Sequence, residues 1–192
     1  MPAAIAHLLK TAEVKVDALS AVGVTQGPGS FTGVRLGITV AKTTALVAVC
    51  PVAGWDTLEL LAHQHLPEAC SGTVAVALDA RRSELYCGLF RRTAQAFETL
   101  LATDVRTPTQ FAEELARLPS LQVAVGSGFE AYPDLLDLSW SGPRLVSRRD
   151  SAPSGLVVAR LTAANEVCWR PAQELVPVYH RRADIQVSPG VG

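Results

Sequence analysis

Apolar residues at Ile5, Leu8, Leu9 and Ala12 recur at helical spacing, so residues 3–13 predict the tail of an amphipathic helix. Residues 18–25 (ALSAVGVT) predict a buried strand. A turn rich in glycine follows, Gly27-Pro28-Gly29-Ser30-Phe31-Thr32-Gly33, and then a helical pattern from about Thr32 to Ala48. The segment CPVAGW reads as a short parallel strand, with Asp56 or Thr57 opening the next helix. Strand, helix, strand, helix in that order implies an α/β unit with a right-handed crossover.

From Thr73 the pattern changes. Residues 73–90 (TVAVALDARRSELYCGLF) predict a strand, a tight polar turn and a second strand, and QAFETLL adds a third. Thr107-Pro108 opens a helix to about Leu118, because proline fits a first helical turn. LQVAVGSG is a strand ending in glycines, residues 154–168 a helix, and LVPVYHRRAD a short terminal strand. A composition break near Leu66 to Gly72 divides the chain into two small α/β lobes, residues 1–66 and 67–192. There is no internal repeat.

The helix predicted over 32–48 is unusual in its spacing. Gly33, Gly37, Ala41 and Ala45 fall on one face, and a row of small residues lets a second helix approach closely. Val34, Leu36, Ile38, Val40 and Leu46 cover much of the rest, so burial nearly all round is expected. One side fits a parallel sheet. The small-residue side fits either residues 3–13 or a helix of another protein. Glycine inside a helix costs about 1 kcal/mol, which implies a packing reason for Gly37.

Composition narrows the function classes. The 192 residues are 48 % hydrophobic and 18 % charged, with a net charge of −1, as in a globular protein rather than a disordered one. The arginine pairs at 81–82, 91–92, 148–149 and 181–182 are scattered and form no stripe for gripping nucleic acid. Cys50, Cys70, Cys87 and Cys168 make no CxxC pair and read as free thiols. His63 and His65 with Cys70 can be drawn as metal ligands, but positions i and i+2 share no helix face, and no metal is expected. The longest apolar stretch, residues 43–54, is too short for a bilayer and is broken by Pro51. With no signal-peptide pattern, a cytoplasmic location and no membrane partner are expected.

The glycine turn invites a phosphate reading, and its details oppose one. A P-loop needs a Lys after its last glycine, where this chain has Val34-Arg35, and Pro28 removes a backbone N–H from any phosphate nest. Gly27, Gly29 and Gly33 leave one residue too many for a dinucleotide turn. Ser30 has Pro28 where a nucleophile elbow has glycine. An anion at the helix N-terminus stays open as a weak alternative. Ser30 or Thr32 is better read as a helix cap. Asp79 reads as the acceptor of an Asx turn in the hairpin.

Three stretches carry a family resemblance: GPGSFTGVRLGITVAKTTAL, ALDARRSELYCGLF (Ala77 to Phe90) and PVYHRRAD (Pro177 to Asp184). Together they resemble the signatures of the TsaB (YeaZ) family, which takes part in making threonylcarbamoyladenosine in tRNA. The resemblance implies the two-lobed actin-like/sugar-kinase/chaperone ATPase fold. It implies no cofactor, no metal and no catalysis, but a dimerisation or scaffold subunit for a TsaD-like threonylcarbamoyltransferase. A homodimer, a TsaE-like ATPase in the complex and contact with tRNA only through the complex are further implications. Residues 3–13 and 32–48 match the family's docking helices, which makes Leu8, Phe31, Gly33, Arg35, Gly37, Ala41 and Ala45 the expected interface. Family members open with a strand pair before the first helix. This chain opens within that helix, so a mis-called start or a truncated gene, and an incomplete first lobe, are expected. The alternatives are a glycoprotease-type peptidase using Ser30, for which His7, His63, His65 and His180 offer no evident orienting partner, and a nucleotide-binding module of the same fold.

Overall fold

The structure, a computed structural model, describes residues 2–66, 69–136, 144–146, 151–164 and 169–180. It opens with α1 (Pro2–Thr11) and a single 3-10 turn at Val16–Ala18. Strand β1 (Val22–Gly27) follows, then α2 (Phe31–Ala48), β2 (Val52–Asp56) and α3 (Thr57–His65). β1 therefore starts four residues later than the alternation suggests, because residues 16–18 turn instead of extending. β1 and β2 are parallel, with Val22 opposite Val52, and α2 is the crossover between them.

Ser30 caps α2 by accepting from Gly33 N at 3.4 Å. Asp56 caps α3 with one oxygen, which accepts from Leu58 N at 2.8 Å and Glu59 N at 2.9 Å. The inner face of α2 sets Ile38, Ala41 and Ala45 against Val52, Ala172 and Leu175. Its outer face is not covered: Leu36, Leu46 and Val47 stand 49 %, 57 % and 59 % exposed. Burial all round, expected from the apolar composition, is thus replaced by burial on one side. A helix lying on a two-stranded sheet has too little surface beneath it to hide more.

The second sheet holds five strands in the order β5-β4-β3-β6-β7. These are β3 (Gly72–Arg81), β4 (Glu84–Arg92), β5 (Phe97–Arg106), β6 (Val123–Val125) and β7 (Arg144–Val146). Two helices go with them, α4 (Pro108–Ala116) and α5 (Ser127–Ala131), while α6 (Gly155–Ala163) lies against β1, with Val158 and Thr162 over Gly23. The last of these is shorter than residues 154–168 suggest, and 165–168, Cys168 included, lie outside the described residues. β5 runs five residues beyond the predicted third strand, while β7 and α5 carry no clear periodicity because each is so short.

Period-two alternation along β3 explains why this sheet has two cores. Val74 and Val76 face Leu58, Leu61 and Phe90 on the α3 side, and Ala75 and Ala77 face Phe111, Leu115 and Phe129 on the other. The β3–β4 hairpin turns through Arg81, Arg82 and Ser83, all at positive φ, and Asp79 accepts from Arg81 N at 2.8 Å in the expected Asx turn. Thr107 and Gln110 form a capping box for α4.

The C-terminal segment is not a strand over residues 175–180, and residues 181–184 of the quoted motif lie outside the described residues. Pro177 has no N–H to give a ladder. A few discrete bonds hold the segment instead. Arg170 and Val52 exchange both backbone bonds at 3.0 Å, Gln26 Nε2 donates to Val176 O at 2.6 Å, and Val178 N donates to Gln26 O at 2.9 Å.

One histidine serves the packing of α3 on the second sheet. Arg92 donates from Nη2 to His63 Nδ1 at 2.7 Å and from Nε to Leu66 O at 2.8 Å, while His63 stacks on Phe97 with centroids 3.7 Å apart. Burial, and secondarily the Arg92 charge, bring the His63 pKa down from 6.5 to about 4. A group with a lowered folded pKa binds its proton more readily unfolded, so His63 should subtract stability as pH falls from 6.5 to about 4. His63→Gln, which keeps a neutral acceptor, should flatten the decline of the denaturant midpoint across that window. Parallel curves for the two proteins would refute this. Separately, Gly126 sits at φ +112 with its Cα against Ala77 O. Gly126→Ala should lower the unfolding free energy by about 2 kcal/mol or more, and an unchanged urea midpoint would contradict that close approach.

Candidate partner-docking surface

The glycine turn is shaped by the chain that crosses it. Gly27 has φ +114, and a Cβ there would lie 2.9 Å from Val178 O. Any side chain would push the C-terminal segment off β1, so the glycine is required by a backbone neighbour. Around the turn is a cavity of about 270 Å³, lined by Thr25, Pro28, Ser30, Gly33, Thr57 and Leu78 among others.

The first turn of α2 carries a stack of exposed side chains. Arg35 Cζ lies 4.0 Å from the Phe31 ring centroid, and Arg35 Nε donates to Tyr179 Oη at 2.8 Å. The Phe31 and Tyr179 rings are 5.7 Å apart. The guanidinium lies over the Phe31 face, where it gains cation–π attraction, and meets Tyr179 at its hydroxyl, with the ring centroid 5.9 Å away. Arg35 is therefore held by an aromatic contact and a phenol of its own chain. Tyr179 was given no role of its own from the sequence, although it lies in the third quoted motif. No spacing rule connects residues that are 144 positions apart.

The small-residue row divides in two. Ala41 and Ala45 are 5 % and 1 % exposed, closed by Val52, Ala172 and Leu175 of the same chain. Gly33 is exposed, and Gly37 is half-buried. A Cβ at Gly37 would touch only Val24 Cγ2, at 3.6 Å, so among the described residues no other helix presses on it. Gly37 opens into a groove of about 350 Å³ that Leu8, Leu9 and Val40 also line. Leu8 is 66 % exposed and Phe31 57 %. Of the seven sequence-derived interface residues, Leu8, Phe31, Gly33, Arg35 and Gly37 thus reach the α1–α2 surface, and Ala41 and Ala45 face inward.

Asp56 also accepts from Thr103 Oγ1 at 2.9 Å, and its other oxygen lies 3.8 Å from His180 Nε2. Burial, then the neighbouring Asp56 charge, raises the Glu59 pKa. Burial likewise pushes the Cys87 thiol up to about 11, despite Arg106 beside it. Among the described residues no group of three His, Cys, Asp or Glu side chains is placed to hold a metal, and no helix is long and apolar enough to cross a membrane.

Comparison with known proteins gives this surface a context. The family model described as TsaD, tRNA N6-adenosine threonylcarbamoyltransferase, matches residues 1–184. The tRNA threonylcarbamoyladenosine biosynthesis protein TsaB of Escherichia coli is 33 % identical over 132 residues, 68 % of this chain and 57 % of that protein. TsaB of Bacillus subtilis is 39 % identical over 93 residues, 47 % of this chain and 38 % of its own length. The chain thus spans about half the length of these relatives. A crystal structure of an uncharacterized Pseudomonas aeruginosa protein with similarity to peptidase YEAZ superposes with a TM-score of 0.68 at 26 % identity, over 92 % of this chain and 81 % of that one. With the mixed α/β sheets found here, these matches fit the two-lobed actin-like/sugar-kinase/chaperone ATPase fold. The chain belongs to the family that the TsaD model describes, as one of its TsaB (YeaZ) members.

Proposed function

We propose that this chain is a non-catalytic scaffold subunit that binds a TsaD-like threonylcarbamoyltransferase and supports threonylcarbamoyladenosine formation in tRNA. The observation that carries the reading is Gly37. It is a costly residue in a helix interior, and among the described residues no other helix uses the space it leaves. Beside it stand Leu8 and the Phe31–Arg35–Tyr179 stack, apolar and aromatic side chains of the kind that anchor interfaces. The docking face on this reading is α1 with the exposed flank of α2. A second copy of the chain competes for the same face. A TsaE-like ATPase and tRNA would meet it only within the larger complex, and the work would be done in the cytoplasm without a cofactor.

The peptidase wording attached to the Pseudomonas relative raises a second reading, with Ser30 as nucleophile. Ser30 spends its hydroxyl on the α2 cap, 3.4 Å from Gly33 N, which favours a structural role. Ser30→Ala should cost about 1 kcal/mol of stability and leave partner binding intact. A peptide-cleaving activity lost in that variant would support the peptidase instead.

Co-purification with the cognate TsaD-like subunit tests the scaffold reading. Gly37→Leu and Arg35→Ala should each weaken retention about tenfold or more with little change in melting temperature. Ala45→Leu should do the reverse, lowering the melting temperature by overpacking an internal contact. A complex that survives Gly37→Leu undiminished would remove the α1–α2 face from the proposal.

A further inference from the structure

We propose that His180 is a proton-controlled latch, which closes on Asp56 when its imidazole is protonated and so tightens the C-terminal segment against the first sheet. His180 Nε2 is buried and takes no hydrogen bond among the described residues. Asp56 Oδ2 lies 3.8 Å from it, beyond hydrogen-bond reach. A buried polar atom left in that state costs free energy, and a native one calls for a physical explanation.

The carboxylate is fixed in place. Asp56 Oδ1 accepts from Leu58 N at 2.8 Å, Glu59 N at 2.9 Å and Thr103 Oγ1 at 2.9 Å, which ties the end of β2 to α3 and β5. Oδ2 is left to face the imidazole, whose ring meets Tyr86 edge-on with centroids 6.4 Å apart. A neutral ring with its proton on Nδ1 turns a lone pair toward Oδ2, and two acceptors stand apart. Protonation makes Nε2 a donor, so a charge-assisted bond of about 2.8 Å replaces the repulsion. The two side chains are only 15 % and 24 % exposed, so salt screens the pair weakly.

Other titratable groups border this junction from each packed element. On α3, burial and then the Asp56 charge raise the Glu59 pKa. On β4, Glu84 lies two positions from Tyr86 on the same face. On β5, Thr103 and Val105 share that face without titrating, while Asp104 and Arg106 point to the other side with Cys87. On the C-terminal segment, Tyr179 accepts from Arg35 Nε at 2.8 Å. Near this end the segment is held to β1 by Gln26 Nε2 to Val176 O at 2.6 Å and by Val178 N to Gln26 O at 2.9 Å. A closed latch two residues beyond Val178 restrains that amide and holds Tyr179 against Arg35. The closed form carries a proton that the open form lacks, so closing is favoured as pH falls and lost as pH rises. That sign is opposite to the effect of His63. The latch does not rest on the scaffold reading, because it is measured on the chain alone.

Amide hydrogen exchange of the 192-residue chain, corrected for its intrinsic pH dependence, tests this at Val178, with Val76 in the core of the second sheet as the reference for global opening. Between about pH 8 and about pH 5, the span in which histidine ordinarily takes up its proton, protection at Val178 relative to Val76 should rise about fivefold. His180→Gln, which never becomes a cation, should hold that ratio constant. Asp56→Asn, which keeps a capping oxygen and removes the charge, should do the same. A ratio that stays flat in the unaltered chain overturns the proposal, as does a rise retained in either variant.

Discussion

The contact on which the first half of this molecule depends is the crossing of residues 169–180 over β2 and α2. Leu175 is fully buried between Ala41, Ala45 and Val52, and burying such a side chain is worth about 1.5–3 kcal/mol. Lys42 reaches across to the carbonyls of Gln173 and Leu175 at 3.2 and 3.1 Å, so the segment is tied to α2 by a cation as well as by packing. Three features of the distant N-terminal sequence answer to this crossing. Ala41 and Ala45 are small where Leu175 lies, Gly27 is bare where Val178 passes, and Gln26 turns its amide to Val176.

The same crossing delivers Tyr179 to α2 and so builds the exposed stack at the helix's first turn. Internal packing and the proposed docking face therefore lie along one helix. Its inward residues are closed by the C-terminal segment, and its flank with Gly37 and Leu36 is left uncovered. A two-stranded sheet cannot hide an apolar helix of 18 residues, and the surplus of apolar surface is a physical reason for such a chain to associate. The five-stranded sheet has no such surplus, because α3 covers one face and α4 with α5 the other.

Much of this was readable in the residues. The turn at Gly27, the cap at Ser30, the helix over 31–48, the β3–β4 hairpin with its Asx bond and the Thr107-Pro108 helix start all rest on local rules, and local rules act over a few positions. Elements failed where the local signal was thin or ambiguous. β7 is only three residues long, residues 18–21 of the predicted strand precede the ladder without extending into it, and the stretch 175–180 looks like a strand in composition but holds a proline. The interface was half legible. A period of four does put Gly33, Gly37, Ala41 and Ala45 on one face, but periodicity cannot say which neighbour that face meets.

The sequence by itself determined the longer elements from α1 to α4, the small-residue face of α2 and, through three motifs in order, the family. Those properties follow from backbone sterics and side-chain spacing within a single element. Only the tertiary structure decided that Ala41 and Ala45 serve the chain's own core, that Arg35 lies against Phe31 and Tyr179, and that His180 faces Asp56. Each of these depends on which segment returns to which surface. Contacts across more than a hundred residues are set by how the whole apolar surface can be buried, a competition among all the elements at once that no local pattern records.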